Sequence, residues 1–142
     1  MFMKNVVGLA LGTAIVAGGL LAVAPIASAS TPTRDDAIAC ANAVGAPSMD
    51  LFYASWDSQA ASPDKADVLG HIAAARVSLA QIHCNDQLQA QIADGLGYLG
   101  GQLGAAVQNI DKGDWTAAKP QLREAEDVDG RLMVSFDKLI YG

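Results

Sequence analysis

Residues 62–86 read SPDKADVLGHIAAARVSLAQIHCND, and the fold follows from how this stretch begins, repeats and ends. Ser62-Pro63-Asp64 is a helix start. A serine side chain accepts the N–H groups that a first turn leaves free, and proline at the first helical position gives up no donor the helix needs. Val68, Ile72, Ala75, Leu79, Ile82 and His83 then return to one face at helical spacing, until Cys84-Asn85-Asp86, where Asn85 can cap a further helix.

Upstream, Thr33-Arg34-Asp35-Asp36 has the order of a capping box with Asp in the Glu place. Ile38, Ala41, Gly45, Met49, Phe52 and Trp56 fall within one arc and read as its core face. That stripe passes straight through Pro47. It predicts a single kinked helix over about 33–60, although proline inside a helix costs about 3 kcal/mol and Ser48 offers a cap for a second segment.

Downstream, Leu88, Ile92, Leu96, Leu99, Leu103, Ala106 and Ile110 form the cleanest stripe in the chain. It closes at Lys112-Gly113, a cation and a glycine where a helix C-terminus prefers them. Asp114 caps the last helix, whose apolar side is Trp115, Ala118, Leu122, Ala125, Leu132, Met133, Phe136 and Ile140. Pro120 should bend it, and Asp127-Val128-Asp129-Gly130 leaves open a break into two pieces. No segment alternates with period two, so the fold class is all-α: a small antiparallel, up-down four-helix bundle.

The cysteines test this layout. If the first two helices fold back about the turn at 61–63, residues at equal height have numbers adding up to about 124, as those of Cys40 and Cys84 do. An intramolecular Cys40–Cys84 disulfide is therefore expected. The chain has two cysteines, no C-x-x-C and no cation adjacent to either thiol.

Residues 1–29 carry one cation, Lys4, then an uncharged run, Pro25 and Ala27-Ser28-Ala29. That is the order of a signal peptide cleaved after Ala29. The domain expected to remain, 30–142, is a single helical bundle, and its place is outside the cell or in the cell envelope, where thiols oxidise. Nine Lys and Arg less Lys4 leave eight against fifteen Asp and Glu, a mature charge of −7. Such a surface repels phosphate backbones and anionic lipid, which excludes nucleic acid and, after cleavage, a membrane as partners.

The remaining features divide between chemistry and packing. The third helix carries Gly95, Gly97, Gly100, Gly101 and Gly104, and four of these with Ala90 and Ala93 give it a small-residue side, read as a close contact with a neighbouring helix of the chain. A homodimer seam through Ala93, Gly97, Gly101 and Ala105 is the alternative. Phe52, Tyr53, Trp56 and Trp115 should gather at one end of the bundle as core. Their functional reading is a pocket for an apolar ligand.

His71 and His83 lie roughly 18 Å apart along one helix and cannot share an ion, and with no carboxylate read at chelating spacing beside either, no metal site is expected. Met49 with His71 is the one pair that could ligate haem. The acidic set Glu124, Glu126, Asp127, Asp129 and Asp137 reads as solvated, except that Asp129 projects near the apolar stripe and needs a partner such as Arg76 or Arg131. No serine stands in a G-x-S-x-G setting. These patterns point to a secreted, acidic, non-enzymatic module without cofactor that acts by binding, to another protein or to itself. A carrier of a small apolar ligand or haem is the alternative.

Overall fold

A computed structural model describes residues 31–142, which are all-helical. The signal-peptide reading falls on residues 1–29, outside the described residues. Six helices follow in order: α1 Arg34–Gly45, α2 Ser48–Asp57, α3 Lys65–Ala80, α4 Asp86–Asp111, α5 Trp115–Val134 and α6 Asp137–Tyr141. The chain divides into two compact units. One is Thr33–Cys84 with Gln91–Gly142; of the other, the described part is 31–32 with Asn85–Ala90, the start of α4. In that short piece the Gln87 N–H donates to Asn85 Oδ1 at 2.9 Å, the cap expected of Asn85. No described helix is long and apolar enough to cross a membrane.

In the larger unit, local chemistry sets most of the helix ends. Thr33 and Asp36 form a reciprocal capping box, at 2.9 and 3.1 Å. Asp114 Oδ1 accepts from the Ala117 N–H at 3.0 Å. α4 closes at Gly113, whose φ of 78° is open to glycine at no steric cost. Its N–H reaches the Ile110 carbonyl at 2.9 Å while the Asp114 N–H reaches Asn109 at 2.8 Å, so two carbonyls at the helix end are satisfied.

Three expectations about the helices are corrected. The single helix over 33–60 is two, because Pro47 has no N–H for the Ala43 carbonyl, which takes the Ala46 N–H instead at 3.3 Å. The cap of α3 is not Ser62 but Asp64, whose carboxylate accepts from the Asp67 N–H at 3.1 Å. The core face of α1 and α2 is not the stripe through Met49, Phe52 and Trp56, which are 58%, 41% and 67% exposed. Ala37, Cys40, Val44, Leu51 and Ala54 are buried in their place.

The question left open at Asp127–Gly130 is answered by an unbroken α5. Pro120 is tolerated because it and Thr116, whose carbonyl it cannot serve, are both exposed, so water can serve that carbonyl. The chain breaks later, at Ser135 and Phe136, where the Ser135 hydroxyl caps the Leu132 carbonyl at 2.6 Å.

One core joins α2 to α5: Leu51 and Ala54, Val68, Ile72 and Ala75, Leu99, Leu103, Ala106 and Ile110, then Ala118, Leu122, Ala125 and Val128. Each fully buried Leu, Ile or Val contributes roughly 1.5–3 kcal/mol relative to exposure, so the leucines and isoleucines of α3, α4 and α5 carry most of it. α2 packs on α3 and α5, and α1 on α5 and α6. The Cys40–Cys84 disulfide ties α1 to the end of the α3 segment with 5.1 Å between Cα atoms.

Candidate functional site

The densest collection of chemically active side chains lies where α2 faces α3. On α2, Asp50, Tyr53 and Asp57 recur at intervals of three and four and so share an edge. On α3, Asp67 and His71 do the same. Pairing runs in opposite directions, Asp50 with His71 and Asp57 toward Asp67, which is the sense the cysteine arithmetic requires.

His71 is the centre of this group. Its Nδ1 lies 2.9 Å from Asp50 Oδ1, and its ring rests on Tyr53 with centroids 5.3 Å apart. These two contacts fix the imidazole plane and leave Nε2 toward the other two carboxylates, 3.8 Å from Asp67 Oδ1 and 3.9 Å from Asp57 Oδ2. The Asp57 carboxyl is held above its ordinary range, first by a hydrogen bond with Asp67, then by burial and the Asp67 charge, with His71 pulling the other way. Two like-charged groups are thus held together beside one ring nitrogen.

The expectation of no carboxylate at chelating spacing beside His71 is corrected by Asp50, Asp57 and Asp67 about its ring. Asp67 stands four residues before His71, a helical neighbour that the sequence does display. Asp50 and Asp57 come from another helix and only the fold delivers them.

A cavity of about 520 Å³ opens beside the group, lined by Trp56, Asp57, Gln59, Ala60, Ser62, Asp64 and Asp67. From Trp56 in its wall the aromatics of α2 continue as an exposed row, with Phe52 stacked on Trp56 at 6.0 Å and set edge-on to Tyr53 at 5.6 Å. These three residues were expected as core and are not. Trp115 is half-buried against the α2–α5 core. Met49 is exposed, and a second groove of about 740 Å³ runs between α2 and α5 past Met49, Phe52, Met133 and Val134.

Asp129 is buried as expected, but neither proposed arginine serves it. Ser48 Oγ donates to its Oδ2 at 2.5 Å, and its Oδ1 has no partner among the described residues. Arg131 reaches Glu124 instead, at 3.9 Å, and Glu124 also accepts from the Tyr98 hydroxyl. His83 is exposed at the end of the α3 segment.

The small-residue side of α4 behaves differently from its packing interpretation. A Cβ on Gly95 would meet Leu132 at 2.8 Å, so α5 does approach there. Added at Gly97, Gly100, Gly101 or Gly104 it would meet nothing within 4 Å. Ala93, Gly97 and Gly101 are exposed and Ala105 is partly so. Among the described residues, no helix packs closely on that side at Gly97, Gly100, Gly101 or Gly104.

No family model matches the chain, and no curated protein or solved structure is similar to it.

Proposed function

We propose that the chain is an exported helical bundle, clamped by its disulfide, that works as a binding module and recognises a basic, partly apolar segment of another protein through the α2–α3 face. The observation that carries this reading is the exposed row Phe52, Tyr53 and Trp56, whose last member, Trp56, lines one cavity with Asp57, Asp64 and Asp67. Aromatic side chains left in water cost the free protein, and rings next to carboxylates complement a Lys or Arg side chain through both charge and the ring face. The disulfide and the overall acidic charge support a place outside the reducing cytosol and a basic partner.

The test uses Trp56 as reporter in a Trp115→Phe background, with Arg- and Leu-containing helical peptides as probes. The expected result is a saturable change in Trp56 emission that weakens with salt and is absent for charge-neutral peptides of equal hydropathy. No change with any basic peptide up to millimolar concentration would overturn the reading. The groove past Met49, Phe52, Met133 and Val134 favours a second reading, a carrier of a small apolar ligand. A ligand of that kind retained in native mass spectra and displaced by Met133→Glu would support it.

A further inference from the structure

We propose that Asp57, Asp67 and His71 form a binding site for a divalent first-row transition metal, with Zn²⁺ as its representative ion and Asp50 as the group that orients the histidine. The site shares Asp57 and Asp67 with the proposed docking face, so a bound ion and a basic side chain would compete for the same carboxylates, whereas metal binding is read without any peptide. The three ligand atoms, one imidazole nitrogen and two carboxylate oxygens, lie within 4.8 Å of one another. Around a tetrahedral ion with bonds of about 2.1 Å, neighbouring ligands stand about 3.4 Å apart. Nε2 is 3.8 and 3.9 Å from the two oxygens, so a slight closure suffices, and Asp67 is exposed enough to turn freely.

Three further features fit a metal better than a plain ion pair. Asp50 takes the Nδ1 side of the ring, the contact by which an outer carboxylate holds a ligating histidine with Nε2 toward the ion. At 3.8 and 3.9 Å, Nε2 is too far from Asp57 and Asp67 for hydrogen bonds, so the ring is not serving those carboxylates directly. Both carboxylates also line the 520 Å³ cavity, which gives the ion an entry path and leaves its fourth position to water. A doubly charged ion would also offset the repulsion between Asp57 and Asp67.

The experiment is a calorimetric titration of the oxidised protein with Zn²⁺, and with Co²⁺ followed by its visible absorption. The expected result is one ion per chain, with a tetrahedral Co²⁺ band. Binding should be lost in His71→Ala and in Asp67→Asn, which is a surface change that leaves the core untouched. Asp50→Asn should weaken it by about 10- to 100-fold, as loss of an outer-shell carboxylate does. His83→Ala should bind as the parent does. Absence of a tetrahedral Co²⁺ band at millimolar metal, binding retained in circular-dichroism-verified Asp67→Asn, or binding lost in His83→Ala would each overturn the assignment.

Discussion

Ser48 and Asp129, 81 positions apart in the chain, meet through a 2.5 Å hydrogen bond from the serine hydroxyl to a carboxylate that is only 2% exposed. The contact fastens the first turn of α2 to the last third of α5. Ser48 is the first residue of α2 rather than its cap, a position held by Pro47, so its hydroxyl is left for Asp129. Ser48→Ala leaves both carboxylate oxygens buried without a donor. It should destabilise the fold by about 1–3 kcal/mol at neutral pH, read as a lower urea midpoint with unchanged slope.

Asp129 also gives the fold a pH dependence of definite sign. Burial raises its carboxyl above the usual carboxylate range, and the Ser48 bond only partly opposes this. The folded chain then holds the proton to a higher pH than the unfolded chain, so this group's contribution falls as pH rises from the unfolded value through the folded one and stays low above it. Asp129→Asn keeps an oxygen for Ser48 to donate to and removes the charge. Relative to the parent, the variant should gain stability between pH 4 and pH 7, in urea melts taken across that range.

The helix boundaries were legible where they depend on neighbours in sequence. Thr33 with Asp36, Asp114 with Ala117 and the turn at Gly113 are all settled within a few residues. The helix faces of α1 and α2 were not. Pro47 breaks the hydrogen-bond ladder, and large apolar residues such as Met49 and Trp56 need not face inward merely because they share an arc. Leu51 and the small Ala54 take the inner face, where α2 lies against both α3 and α5. The partner of Asp129 and the ring of carboxylates about His71 depend on contacts across helices, so of that site only the Asp67–His71 pair could be read from spacing.

The disulfide should matter more than any single core side chain. Cys40 and Cys84 are separated by 44 positions, and closing a loop of that size removes enough freedom from the unfolded chain to stabilise the fold by about 4 kcal/mol. The double variant Cys40→Ser, Cys84→Ser should lose about that amount in chemical denaturation at pH 7. A loss under 1 kcal/mol would mean that the unfolded chain is already held compact by other contacts.

The glycines of α4 separate packing from propensity within one helix. At Gly97 and Gly101 an added methyl group meets open space, so alanine removes backbone freedom from the unfolded chain without a clash in the folded one. Each substitution should raise stability by about 0.4–1 kcal/mol, and the two together by nearly the sum if positions one turn apart on an uncovered face act independently. Gly95→Ala should gain less, because Leu132 must first swing its Cδ2 away from the new methyl group. Gly113→Ala should instead cost about 1–2 kcal/mol, since its φ of 78° places a Cβ against the following carbonyl. Thermal melts of the four variants should therefore rank Gly97→Ala and Gly101→Ala above the parent and Gly113→Ala below it. A stability loss at Gly97 or Gly101 would mean that this side of α4 is covered in solution by a second copy of the chain, whose backbone the methyl group would hold away.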